Sequence, residues 1–332
     1  MSPATLATIG EFSLLAGLLP RLRQQRDVLL GPGDDCAVVR TRAGALLVTV
    51  DALVEGVHFR VGWLTPAALG RKAFAVNASD IAAMGGAPRW CVSHIGAPPR
   101  TPAATVDGIA RGIAAAATAA GASLVGGNLS RAAELSVAVT LIGAAPPRPL
   151  TRAGARAGDA LYVTGRLGEA ALGVRQLRRS RAARGAAVGR FRRPPPRRAA
   201  GALLARGDLA SAMIDVSDGL MQDLAHLCAA SRVGARVALA RVPCTAAVRR
   251  AGIELALAGG EDYELLFTVP PRREAALARA AAGFGCRMTR IGEMVGGRGV
   301  VLVDGAGVEQ PYTASGHDHF RTAAARRSRP SA

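Results

Sequence analysis

Between Gly31 and Phe59 three carboxylates sit at positions that constrain any fold built around them. Asp34 and Asp35 follow directly on a Gly31-Pro32-Gly33 turn, and Asp51 ends the apolar run Ala45 to Val50, which reads as a strand. No basic residue adjoins the acid pair until Arg40, so something else must balance their charge. A hard divalent cation takes carboxylate oxygens and still leaves room for phosphate oxygens. An Asx-type turn, in which the carboxylates only cap local backbone, is the other reading of this stretch.

The chain has 332 residues, enough for two domains with cores of their own. Half are hydrophobic and 4% aromatic, as expected of a soluble protein with an interior of Ala, Val and Leu. No apolar run approaches the roughly 20 residues of a membrane span, and the N-terminal residues lack a signal-peptide pattern. Cys36, Cys91, Cys228, Cys244 and Cys286 are scattered without a Cys-x-x-Cys pair. That argues against zinc or disulfides and for a reducing, cytoplasmic location. The net charge of +18 raises the question of nucleic acid. Lys72 is the only lysine, however, and the arginine excess fits a GC-rich coding bias. The arginines concentrate in Arg175–Arg198 and beyond Arg321, without interleaved aromatics to stack bases. Neither a nucleic-acid nor a membrane partner is expected.

Along the chain, Glu11 to Leu19 reads as a helix. Thr65-Pro66 starts a second one that runs towards Met84 and stops at Gly85-Gly86. Asn77 and Asp80 share a face of it, and Asp80 is costly in so apolar a turn unless it is paired or faces a cavity. Thr105 to Ala120 reads as a third helix. Ser123 to Val125 is a short strand leading into a Gly126-Gly127-Asn128 turn, where backbone can approach a phosphate closely. Leu135 to Gly143 is an apolar strand, and the proline-rich 144–149 marks the domain boundary. The expected division is 1–147, 148–320 and a basic, disordered tail 321–332. Beyond the boundary, Ala160 to Thr164 is a strand and Arg175–Arg198 a solvated helix end with a connecting loop. Ile214 to Leu220 is a strand-to-helix junction holding Asp215, Ser217 and Asp218. Gly259-Gly260-Glu261-Asp262-Tyr263-Glu264 is a glycine turn feeding a strand.

Six acids, Asp34, Asp35, Asp51, Asp80, Asp215 and Asp218, thus lie in turns or element ends beside Gly, Ser, Thr or Asn. Acids so far apart converge when a site is shared between two domains, and nucleotide phosphates with several magnesium ions need such a constellation. A P-loop and the protein-kinase motifs are absent.

These five segments together, from Gly31-Pro32-Gly33-Asp34-Asp35 through Asp51–Phe59, Ala75–Gly85 and Ile214–Leu220 to Gly259–Leu265, resemble the thiamine-monophosphate kinase family over roughly residues 9–320. Its superfamily also holds aminoimidazole ribonucleotide synthetase, selenophosphate synthetase and a hydrogenase maturation factor. The resemblance implies an α/β (α+β), two-domain synthetase-like fold. An N-terminal ATP- and metal-binding domain with a mixed sheet would be completed by a C-terminal α/β domain, in a homodimer. It implies direct, in-line transfer of the ATP γ-phosphoryl to thiamine monophosphate, giving thiamine diphosphate and ADP.

By motif position, Asp35, Thr49, Val50 (through its backbone), Asp51, Asp80, Asn128, Asp215 and Asp218 would hold Mg2+. Gly127, Asn128, Arg152 and Ser217 would hold ATP, and His58, Glu261 and His317 would contact the thiamine substrate. Asp34 would orient Asp35. The bland counterparts are a core His58, a turn-capping Glu261 and a surface Arg152. Three positions depart from the family: Asn128 stands for an aspartate, Val50 for a threonine and His317 for an aromatic residue. Loss of the charge at Asn128 should weaken one magnesium site. The alternative to an active kinase is a catalytically weakened nucleotide-binding homologue, or a sister enzyme with another substrate.

Overall fold

The computed structural model describes residue 5 and residues 9–312; His317 and the tail 321–332 lie outside the described residues. After α1 (Glu11–Leu18), strands β1 (Val28–Leu30), β2 (Ala37–Thr41) and β3 (Gly44–Val54) form an antiparallel meander. Helix α2 (Pro66–Ala83) follows, then β4 (Ala87–Ala97), α3 (Ala103–Ala119), β5 (Ser123–Arg131) and β6 (Ser136–Ala144). The first sheet has the order β1-β2-β3-β6-β4-β5, with β4 and β5 parallel and the other pairs antiparallel. It is therefore mixed, as expected. Gly126-Gly127-Asn128 differs from expectation: it is not a turn but the middle of β5, with Gly127 opposite Ser93. A Cβ on Gly127 would stand 2.6 Å from the Ser93 carbonyl oxygen, so the glycine permits close strand approach.

Thr65 caps α2 by accepting a hydrogen bond from the Ala68 amide (3.2 Å), with Pro66 in the first turn. Its end is a Schellman motif: Gly85, at φ +73°, donates to Ala82 O, and the Gly86 amide donates to Ile81 O. The helix packs on β3 and β6 and runs backbone to backbone with α3. A Cβ on Gly70 would lie 2.0 Å from Ile109 O, and one on Gly112 would lie 2.3 Å from Ala67 O.

The second half contains β7 (Ala160–Thr164), α4 (Glu169–Arg179), α5 (Ala186–Arg192), α6 (Arg198–Arg206), β8 (Ala212–Val216), α7 (Leu220–Ser231) and β9 (Gly234–Ala238). Short helices α8 (Ala246–Ala251) and α9 (Glu254–Leu257) lead to β10 (Glu264–Val269), α10 (Glu274–Ala280), β11 (Met288–Val295), β12 (Gly299–Val303) and β13 (Glu309–Tyr312). Its sheet runs β13-β12-β9-β11-β7-β10-β8, antiparallel except for β9 with β12. The Arg175–Arg198 segment is solvent-exposed at the end of α4 and in the loop that follows, as expected, but is partly buried beyond it. It forms the end of α4, all of α5 and the start of α6, with Phe191 and Val188 buried. Buried Ala170, Leu177, Val188 and Phe191 join the core of the first half, while Ala83 of α2 joins a core of the second. Helix α2 is thus gripped from both sides.

Candidate active site

One end of the second sheet faces the α2 side of the first, and the expected acids meet there. Asp51 and Thr49 share the face of β3 that carries buried Leu47 and Leu53. The Asp51 amide donates to Asn77 Oδ1 (2.9 Å), so fully buried Asn77 pins the strand to α2. One turn further on, Asp80 Oδ2 accepts from Thr49 Oγ1 at 2.6 Å. The second half reaches in through β8: Ser79 Oγ donates to Asp215 Oδ2 at 2.6 Å, and Asp215 is buried.

The Asp34-Asp35 turn caps local backbone through its first carboxylate and ion-pairs with Arg152 through its second. Asp34 accepts from the Asp35 amide and from the Arg152 amide, each at 3.0 Å, and so fixes backbone. Asp35 Oδ1 accepts two bonds from the Arg152 guanidinium, from Nε at 3.0 Å and Nη2 at 2.5 Å. Its other oxygen, Oδ2, is buried with no hydrogen-bond partner. Leaving a buried carboxylate oxygen unpaired costs several times a typical net hydrogen bond, and such an atom calls for a missing positive partner.

The electrostatics agree. Burial pushes the Asp80 carboxyl well above the usual range, and the charges of Asp51, Asp215 and Asp35 add to it. Asp215 is raised to about 6, chiefly by burial, with Ser79 and Arg152 opposing. Asp35 is raised by burial, against the pull of Arg152. Asp51 is raised to about 6 by desolvation, then by Asp218 and Glu261. The Asp51 side chain is open to solvent, with the Asp218 and Glu261 charges nearby. Among the described residues no three His, Cys, Asp or Glu side chains close round one point tightly enough to cage an ion. The set of hard oxygens and the orphaned Asp35 Oδ2 instead fit magnesium, which binds through one or two carboxylates and completes its shell with water and substrate phosphate.

Asp218 and Ser217 follow β8. Asp223 Oδ2 accepts from the amides of Asp218 (3.2 Å) and Gly219 (3.0 Å), which shapes this loop from below. His58 Nδ1 accepts from the Val54 amide at 3.1 Å, so a neutral ring carries its proton on Nε2. Gly127 lies on the Asp51 side of the sheet but three strands away, and Asn128 is not drawn into the acid cluster. Asn128 lies opposite His94 on β4, on the sheet face that carries Val92, whereas Asp51 faces α2. Val50, 63% exposed, shares that outer face with Val92, since both lie opposite Thr140.

The glycine-acid motif that ends at β10 resolves into separate tasks. Glu261 (φ +71°) and Tyr263 (φ +49°) occupy left-handed backbone, a strained arrangement for side chains of this size. Between them, buried Asp262 caps α4 by accepting from the amides of Gly168 (2.6 Å) and Ala170 (3.3 Å). Glu264, fully buried, accepts from Thr164 Oγ1 and ion-pairs with Arg190 and Arg197. Glu261 pairs with Lys72, which is 1% exposed and lies with Nζ 3.5 Å from the Phe191 ring centroid. Sequence reading had passed over this lysine, although one lysine kept among so many arginines was the available signal. A lysine ammonium is a compact point charge that can sit over an aromatic face.

Comparison with known proteins agrees with this geometry. Residues 33–145 match the AIR synthase related protein N-terminal domain, and residues 156–305 match its C-terminal domain. The thiamine-monophosphate kinase of Escherichia coli K12 is 39% identical over 328 residues, covering 94% of this chain and 99% of that protein. The Mycobacterium tuberculosis H37Rv enzyme of the same name is 39% identical over 322 residues, covering 91% and 90% respectively. Among solved structures, AaThiL complexed with AMPPCP and TMP superposes with a TM-score of 0.84 at 31% identity, covering 96% of this chain and all of that one. With both AIR synthase related domains matched and near-full-length identity of this order, the chain belongs to the thiamine-monophosphate kinase family.

Proposed function

We propose that this protein transfers the γ-phosphoryl group of ATP to the phosphate of thiamine monophosphate, giving thiamine diphosphate and ADP. The observation that carries the reading is the convergence of Asp51 and Asp80 from one half with Asp215 from the other, each tied to a hydroxyl or amide partner. The enzymes named above act in this class, and AaThiL was solved with an ATP analogue and TMP together.

Asp35, Asp51, Asp80, Asp215 and Asp218, with Thr49 and the Val50 carbonyl, would hold Mg2+. When bound, the ions would supply positive charge that neutralises the phosphates. The remaining work belongs to the chain. Thr49, Asn77, Ser79 and Arg152 hold acidic residues that would otherwise repel one another, so their oxygens are arranged before substrate arrives. Positioning of this kind is the main protein contribution where both reactants are anionic and no covalent intermediate forms. Arg152 and Ser217, with Gly127 and Asn128, are the proposed ATP contacts. Glu261, braced by Lys72, and His58 are the proposed substrate contacts, with His317 a third from outside the described residues.

A division near residues 147 and 148 is proposed with this reading. So is a homodimer, supported by exposed Val50, Trp90 and Val92 on the outer face of the first sheet. No described helix is long and apolar enough to cross a membrane, and all five cysteines are free. We propose a cytoplasmic enzyme with no nucleic-acid partner.

The test is ADP release with thiamine monophosphate as acceptor and unphosphorylated thiamine as control. The reading expects magnesium-dependent ADP release with the first only. Equal release with thiamine, or with no acceptor, would overturn it.

A further inference from the structure

A cavity of about 970 Å³ opens between α2, the α5–α6 segment and the loops beside β7 and β11. None of the acids described above lines it except Glu169, the one carboxylate among eight arginines and Lys72. Arg190 pairs with both Glu169 and Glu264, and Arg197 pairs with Glu264 beneath it. Arg192 donates to the Trp63 carbonyl and Arg198 to the Ala120 and Ala119 carbonyls, which satisfy hydrogen bonds but leave the charge uncompensated. The side chains of Arg71, Arg166, Arg193 and Arg287 make no hydrogen bond or ion pair among the described residues. A concave wall of one sign focuses its field outward and concentrates counter-ions, and guanidinium groups grip phosphate in bidentate fashion. The lining is not polar throughout, for Phe74, Ala78, Ala116 and Pro195 supply apolar surface.

We propose that this cavity is a second, metal-independent binding site for a phosphorylated small molecule with an apolar ring portion, of the nucleoside diphosphate class. Its chemistry is opposite to that of the acid cluster. Carboxylates receive a phosphate only through cations, whereas these arginines receive it directly. The cavity is also wired to that cluster. Lys72 and Ser79 both line it, and their polar ends reach Glu261 and Asp215 respectively. Occupancy is therefore felt by one proposed substrate contact and one proposed metal ligand. The binding claim itself does not depend on which reaction the acids support.

The chain provides its own reporter. Trp63 packs edge-on against Phe191, with centroids 5.9 Å apart, and Phe191 lies between cavity residues Arg190 and Arg192. Replacing Trp90, the other tryptophan, by Trp90→Phe isolates that signal. The protein in EDTA is titrated with ADP while Trp63 fluorescence is followed. A saturable change is expected, weakened at least about tenfold in Arg166→Ala/Arg287→Ala, as loss of charge-assisted phosphate bonds implies. It should persist in Asp51→Asn. Both arginines are exposed and unpaired, so their removal leaves the fold intact by circular dichroism; Arg71→Ala is the independent second variant. Four outcomes overturn the proposal: no saturable change, unaltered affinity in both arginine variants, loss of binding in Asp51→Asn, or equal binding of sulfate at matched ionic strength.

Discussion

Lys72 and Glu261 lie 189 residues apart and meet with the ammonium buried against the Phe191 ring and the carboxylate part-exposed. Burial lowers the lysine pKa, and the Glu261 carboxylate opposes that shift. Lys72→Met should cost about 3 kcal/mol, because it strands a carboxylate in a partly dry site. Steady-state kinetics should then show the KM for thiamine monophosphate raised at least about tenfold, with that for ATP little changed. A matched rise in both would mean that the pair holds the domains together rather than the substrate contact. At this scale much of the site was legible in the sequence. The acids stood out because Asp80 in an apolar turn and the Asp34-Asp35 pair without a nearby base need partners from elsewhere in the chain. Asp223, Asp262 and Glu264 stayed hidden because their tasks are to cap a loop, cap a helix and anchor arginines. Such tasks need partners that only tertiary structure supplies.

Helix α2 is the element on which the account turns, carrying Lys72, Asn77, Ser79 and Asp80 between the two halves. Its place depends on glycines that let α3 approach. Gly112→Ala would set a Cβ 2.3 Å from Ala67 O, backbone that cannot swing away as a side chain can. Thermal or urea unfolding should reveal a loss of about 1–3 kcal/mol, with activity reduced because Asp80 moves with the helix. Unchanged stability would show that the helices part without consequence. The start and stop of α2 were readable from Thr65-Pro66 and Gly85-Gly86, where local chemistry decides. Gly126-Gly127 misled because the pair signals a turn locally, whereas β4 supplies a parallel partner across a tight backbone approach. The later part of Arg175–Arg198 misled for a related reason. Its charge suggested solvent, but buried Glu264 draws Arg190 and Arg197 inward while Phe191 enters the core.

In the whole molecule, buried acids make stability depend on both pH and metal. Asp215, at about 6, and Asp262, at about 8, bind protons more tightly folded than unfolded, where an aspartate titrates near 3.8. Their neutral forms therefore favour the fold at low pH, and that contribution is lost as pH rises through these folded values. Without divalent ions, the unfolding free energy should fall between about pH 4 and pH 8. Magnesium favours the ionised acids of the cluster, so its stabilisation should be small near pH 5 and larger near pH 8, as differential scanning calorimetry would measure. A magnesium effect independent of pH would contradict this. Dimerisation is tested at the same scale: Val92→Glu on the outer sheet face should yield monomers by light scattering, and an unchanged mass would move the interface elsewhere. The central claim is that acids from both halves form one phosphoryl-transfer site. Phosphorus NMR of the protein with ATP, magnesium and thiamine monophosphate tests it most directly. The account predicts thiamine diphosphate doublets with wild-type protein and none with a folded Asp51→Asn variant. Undiminished product from that variant, or no product from wild type, would contradict it.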